Sequence, residues 1–86
     1  MGLSKKQWVY IWKKERDEVI RSLDVETFKE FYHKWERRGL YKLPIPADNV
    51  IEVALYKMLY NLKDATPEEM DKAEKWLKEH NSDTTL

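Results

Sequence analysis

The sequence predicts an all-α fold, a compact four-helix domain in which neighbouring helices are mostly antiparallel. Apolar residues recur at spacings of three and four in four segments, and the start of each segment carries an N-cap residue or a proline. The chain has only 2 Gly and 3 Pro and no alternating strand pattern. Its 86 residues, 1–86, form one domain with a short polar tail that frays from about residue 81. The helices are expected at about residues 5–22, 25–38, 48–62 and 67–79.

The first helix begins at a capping box, in which Ser4 and Gln7 satisfy each other's backbone donors. Tyr10 points away from the core. The inner stripe, at 100° per residue, consists of Trp8, Trp12, Val19 and Leu23.

Two charged residues, Glu15 and Arg16, fall on or beside this stripe. Their long side chains can reach the edge of the core and place the charges in water. Alternatively, Arg16 and Trp12, four residues apart, form a surface on which a planar or anionic group stacks and pairs.

The second helix has Asp24 as its N-cap and Gly39 as its C′ residue. Arg37 and Arg38 lie in its last turn, where cations complement the helix dipole and can also meet a partner. Its apolar face consists of Val25, Phe28, Phe31, Tyr32 and Trp35.

The connection "LYKLPIPAD" is extended because Leu43 and Ile45 each precede a proline. Leu40, Leu43 and Ile45 are expected to cover the core as a lid. The third helix starts either with Asp48 as its cap or with Pro46 as its first residue.

The third helix is apolar on nearly all sides, which is typical of a helix covered from more than one direction. Either it is the central helix of the bundle, or its second stripe, Val53, Tyr56 and Tyr60, meets another chain. The broad inner face consists of Val50, Ile51, Ala54, Leu55, Met58 and Leu62.

The fourth helix starts at "TPEE", where Thr66 caps, Pro67 is the first residue and Glu69 completes a capping box. Its inward residues are expected to be Met70, Ala73, Trp76 and Leu77.

Composition argues against an enzyme and against a metal or other cofactor. The chain has no Cys, only two His, His33 and His80, and no glycine-rich phosphate loop. No apolar run approaches the length of a membrane span and no signal peptide is visible, so we expect no membrane partner and a cytoplasmic location.

Charge is unevenly distributed along the chain. Residues 1–43 carry 11 Lys/Arg and 7 Asp/Glu, a net +4, and residues 44–86 carry 5 and 9, a net −4. Such a dipole steers anionic partners towards one end or pairs copies head to tail. Basic residues near aromatic ones also suit single-stranded nucleic acid. Interleaved acids and a pI near 6.7 argue against nucleic acid.

Residues 28–80 resemble small helical proteins encoded by bacteriophages and prophages. The resemblance rests on four features in this order: an aromatic helix, the turn "RRGLYKLPIP", an apolar helix and the helix start "ATPEE". It implies a protein that acts by binding, to a host defence protein or to the nucleotide signal that activates one.

Together these features predict a non-enzymatic, homo-oligomeric binding protein that blocks a bacterial target or sequesters its signal. A single-strand-binding module and a purely structural interaction module are the alternatives. Self-association is expected through Val53, Tyr56 and Tyr60. The predicted partner surface consists of Trp12, Arg16, Arg37, Arg38, Tyr41 and Lys42.

Overall fold

A computed structural model describes residues 2–41 and 43–86 and confirms the all-α four-helix domain. Helix α1 pairs with α2 and α3 pairs with α4 across short connections. Across the first pair, Trp8 near the start of α1 meets Trp35 near the end of α2, as expected for antiparallel helices. Within the described residues, no helix combines the length and hydropathy needed to cross a bilayer. The helices are α1 Lys5–Ser22, α2 Val25–Glu36, α3 Asp48–Tyr60 and α4 Pro67–Glu79.

Local sequence signals set three of the four helix starts. Ser4 and Thr66 each form the predicted capping box, and Asp24 accepts a hydrogen bond from the backbone N–H of Thr27. Helix α3 lacks a side-chain cap, because Ala47 stands at its N-cap and Asp48 is its first residue. The helix starts at residue 48 as predicted, but Asp48 is its first residue and not its cap, and Pro46 precedes the helix. It ends at Tyr60, two residues before the predicted end.

A Schellman motif ends α2 at the predicted glycine. Gly39 has φ +84°, and its N–H donates to the carbonyl of Glu36 at 2.9 Å. The N–H of Leu40 donates to the carbonyl of Trp35 at 3.0 Å. Regular helix stops at Glu36, not at 38, because Arg37 and Arg38 form the turn that leads to Gly39.

Two adjoining clusters form the core. Helix α3 contacts all three other helices, so the prediction of a central helix is confirmed. One cluster joins α1 to α2 through Val19, Phe31 and Trp35. The other joins α1, α3 and α4 through Ile20, Ile51, Leu55, Leu59 and Ala73.

Three apolar residues predicted to face or cover the core are exposed. Val50, in the first turn of α3, is 51% exposed. Leu40 and Leu43, in the expected lid, are 39% and 75% exposed. The lid prediction holds for Ile45, which packs against the core. Leu43 is held through its backbone instead, because its carbonyl accepts the hydroxyl hydrogen bond of Tyr32.

The polar tail folds back onto α3, so the prediction that it frays is wrong. Asn81 has φ +55° and takes the C′ position of a second Schellman motif, in which the N–H of Ser82 donates to the carbonyl of Leu77 at 2.8 Å. The side-chain amide of Asn61 then donates to the carbonyl of Thr84 at 2.7 Å. Sequence reasoning missed that asparagine tolerates the left-handed turn.

Candidate binding groove between α1 and α2

Aromatic rings fill the contact between α1 and α2. The rings of Trp8 and Trp35 meet edge to face, with centroids 5.9 Å apart and planes at 77°. Phe31 lies 6.5 Å from Trp35 and 6.2 Å from Tyr41. Tyr41 in turn stacks on Tyr32 at 4.3 Å. Edge-to-face and offset contacts of this kind are the favoured aromatic geometries.

The guanidinium of Arg38 lies over two of these rings. Its Cζ is 4.3 Å from the ring centroid of Trp8 and 5.2 Å from that of Trp35. Trp35 is only 1% exposed, whereas Arg38 is exposed. Among the residues that the structure describes, Arg38 has no carboxylate within ion-pair distance. A guanidinium over an aromatic face makes a cation–π contact and still has N–H groups that can donate to a ligand.

Glu15 of α1 is hydrogen-bonded to two residues of α2 in the same helix contact. Its carboxylate accepts hydrogen bonds from Lys34 Nζ at 2.8 and 3.0 Å and from Trp35 Nε1 at 3.1 Å. Burial raises the pKa of Glu15, but these bonds and the charges of Lys34 and Arg38 outweigh it, so the pKa lies below its ordinary value. Glu15 is thus a paired carboxylate that satisfies the buried indole N–H.

A groove of about 530 Å³ opens beside Arg38. We call it the tryptophan groove. Helix α1 has 18 residues and α2 has 12. At about 1.5 Å per residue, α1 is therefore about 9 Å longer than α2. Its lining residues are Lys5, Trp8, Val9, Trp35, Arg38, Gly39 and Leu40.

The cations at this groove are positioned by helix ends. Arg38 is held next to the indoles by the Schellman turn at Gly39, whereas Lys5 is the first residue of α1. The first turn of α1 has no acidic residue, although acids are favoured there by the helix dipole. A lysine in this position gains nothing from the helix dipole and presents its charge to the groove.

Three residues of the predicted partner surface form a neighbouring cluster. Trp12 Nε1 donates to the hydroxyl of Tyr41 at 3.2 Å, and Arg16 Cζ lies 5.0 Å from the ring centroid of Trp12. Arg16 also pairs with Asp17 at 3.2 Å. Burial raises the pKa of Tyr41, and the bond from Trp12 and the charge of Arg16 oppose it only in part. Most polar groups here already have partners within the chain.

The other three residues of the predicted partner surface do not form one cluster. Arg38 lies in the tryptophan groove, Arg37 is exposed and does not line it, and Lys42 lies outside the described residues. Sequence reasoning assigned Trp8 and Trp35 to the core and did not identify Lys5 as a site residue. The sequence gives no direct signal for the groove, because periodicity does not show which turns of two helices lie opposite each other.

The tyrosine stripe of α3 is largely covered within one subunit. Tyr56 stacks on Trp76 of α4, with centroids 4.0 Å apart and planes at 3°, and Trp76 stacks on His80 at 3.8 Å. Tyr60 packs against the core. Val53 is half-buried and lines a shallow depression on the surface of α3. Helix α4 therefore provides the contacts that were predicted to come from a second chain at Tyr56.

The chain matches no protein-family model, no curated protein and no solved structure in the comparisons made. Its candidate site is consequently defined by its own geometry.

Proposed function

We propose that this is a non-enzymatic binding protein whose tryptophan groove captures a small anionic ligand with a flat ring, of the nucleotide class. The observation that carries the proposal is Arg38, which is exposed and lies over Trp8 and Trp35 in the lining of an apolar groove. Guanidinium N–H donors match the geometry of a phosphate or carboxylate.

The size and lining of the groove favour a small ligand. Its volume of about 530 Å³ lies within the roughly 300–1,000 Å³ typical of small-molecule sites. Val9, Leu40 and the half-buried ring of Trp8 provide apolar surface for a base. Lys5 adds a second cation for the anionic part.

The biological setting follows from the resemblance of residues 28–80 to phage proteins. A phage-encoded protein with this groove acts in the host cytoplasm by sequestering a nucleotide signal that activates host defence. Binding alone is sufficient for this role, so no catalytic group is required.

Self-association is a further part of the proposal, and its support differs among the predicted residues. Tyr56 and Tyr60 contact other parts of their own subunit, whereas Val53 and the exposed Val50 line a shallow depression. Light scattering at micromolar concentration should give a mass above 10.5 kDa, and Val53→Glu should lower it. A wild-type monomer would remove this part of the proposal.

Titration calorimetry with a panel of linear and cyclic nucleotides tests the main proposal. We expect at least one compound to bind and Arg38→Ala to weaken it about tenfold or more, as expected for a charge-assisted contact. Arg37→Ala is the matched control, because Arg37 is exposed, adjacent and outside the groove. Its affinity should stay within about twofold of wild type.

Three results would count against capture of a nucleotide. They are no binding across the panel, equal losses in the two arginine variants, and tighter binding of oligothymidine than of any mononucleotide or cyclic nucleotide. The last result would favour the single-strand-binding alternative, with affinity falling steeply as salt rises.

A further inference from the structure

The outer face of the first three turns of α1 has a strong local charge. Residues 2–14 contain four Lys and no Asp or Glu. Lys6, Tyr10 and Lys14 are spaced by four residues and share one side of the helix, with Lys13 beside them. The first acidic residue of the chain is Glu15, so residues 2–14 carry positive charge with no acidic residue among them.

Apolar surface lies within this charged face. Tyr10 is 69% exposed and Leu3 is 43% exposed. Together with Ile11 they line a shallow depression of about 590 Å³. The depression shares no lining residue with the tryptophan groove, which lies on another side of the same helix. The two surfaces are therefore separate features of α1.

The fold does not neutralise these lysines. In the part of the chain that the structure describes, Lys6, Lys13 and Lys14 take part in no ion pair. Two nearby acids of α1 are used elsewhere, since Glu15 pairs with Lys34 and Asp17 with Arg16. Glu18, one turn after Lys14, makes no ion pair among the described residues. Unpaired charge of one sign around exposed apolar side chains is complementary to an acidic partner with its own apolar contact.

We propose that this face docks an acidic protein segment. It consists of Leu3, Lys6, Tyr10, Ile11, Lys13 and Lys14. An apolar side chain of the partner packs on Tyr10 and Leu3, and its carboxylates pair with Lys6, Lys13 and Lys14. Tyrosine is among the residues that most often dominate binding energy at such interfaces. This inference is independent of ligand capture in the tryptophan groove.

Geometry favours a protein segment over a membrane or a nucleic acid. A helix that lies in a bilayer needs a continuous apolar stripe. On this face Lys6 and Lys14 stand one turn before and one turn after Tyr10, so the apolar surface is short. Single-stranded nucleic acid needs several exposed rings for stacking, and Tyr10 is the one exposed ring on this face.

The test uses a short amphipathic peptide with glutamates and leucines spaced three and four residues apart, and a twin with glutamine in place of glutamate. Binding is measured by fluorescence anisotropy as a function of salt. The charge-reversal variant is Lys6→Glu/Lys13→Glu/Lys14→Glu. Its matched control reverses three exposed lysines of α4, Lys72, Lys75 and Lys78.

We expect the acidic peptide to bind about tenfold or more tightly than its twin, with affinity falling as salt rises. Charge reversal on α1 should abolish binding, Tyr10→Ala should weaken it about tenfold, and the α4 variant and Arg38→Ala should leave it unchanged. Circular dichroism of both triple variants confirms that the helices are retained.

The proposal fails if the acidic peptide does not bind, or if the α1 and α4 triple variants lose the same affinity. It also fails if vesicles rich in phosphatidylserine or oligothymidine bind this face more tightly than the peptide. Failure here would leave the nucleotide result at Arg38 unaffected, because the two surfaces share no residue.

Discussion

Removing the carboxylate of Glu15 should destabilise the protein much more than removing a typical surface glutamate. Glu15 is the acceptor for the indole N–H of Trp35, a side chain that is only 1% exposed. In Glu15→Ala this N–H has no partner and cannot reach water easily. An unsatisfied buried donor costs about 1–3 kcal/mol.

The ion pair with Lys34 adds a smaller amount. The side chains of Glu15 and Lys34 are 33% and 41% exposed, so water screens their attraction. Such a pair contributes about 0–1 kcal/mol. The total for Glu15→Ala is therefore about 1–4 kcal/mol. For a domain of this size, 2 kcal/mol corresponds to a Tm lower by about 8–16 °C.

Urea unfolding at pH 7 measures this loss, with Glu15→Gln and Glu18→Ala for comparison. Glutamine keeps an acceptor for Trp35 and loses only the charge, so it should cost about 1 kcal/mol or less. Glu18 is exposed and has no ion pair among the described residues, so Glu18→Ala should change stability by less than about 0.5 kcal/mol. Equal losses in Glu15→Ala and Glu18→Ala would refute the reasoning.

The pH dependence gives a second check on Glu15. Its pKa is lowered in the folded protein, so its charge stabilises the fold above the ordinary glutamate pKa of about 4.3. That contribution is lost as pH falls through the lower folded pKa. The difference between wild type and Glu15→Gln should therefore be largest near neutral pH and shrink in acid. A difference that grows on acidification would contradict this assignment.

Three further predictions concern the fold. Leu55→Ala, at a side chain with no exposure, should cost about 2–5 kcal/mol in urea unfolding; Leu55→Met should cost less than about 1.5 kcal/mol. Gly39→Ala should cost about 1–2 kcal/mol, because φ is +84° and no atom crowds an added Cβ; a neutral result would contradict the left-handed turn. Tyr56→Ala should lower the Tm and leave the mass by light scattering unchanged, because its stack on Trp76 lies within one subunit; a lower mass would identify an interface between copies.

The starts of α1 and α4 were predictable because N-capping depends on side chains within three residues of the helix start. Ser4 with Gln7 and Thr66 with Glu69 satisfy backbone donors three residues away, so the sequence alone specifies where α1 and α4 begin. Where no such side chain exists, as at Ala47, the predicted range starts at the right residue, 48, but neither predicted cap arrangement is the observed one. The turn at Asn81 was not predicted because asparagine takes the left-handed conformation less often than glycine. The polar residues after it gave no signal for a folded tail.

The candidate site depended on contacts between helices. Periodicity placed Trp8, Trp35 and Glu15 on inner faces, but it carries no information on which helix end lies opposite which. The indoles, Arg38 and the Glu15 carboxylate come together only when α2 packs antiparallel on the longer α1.

The sequence by itself determined the number of helices, most of their starts and the residues available to the core, because hydrogen bonding and apolar periodicity act within a few residues. Only the tertiary structure decided that α4 covers Tyr56, that Val50 and Leu43 remain exposed, and that a groove opens beside Arg38. These outcomes depend on the relative lengths and offsets of packed helices, which are set by contacts between residues far apart in the chain.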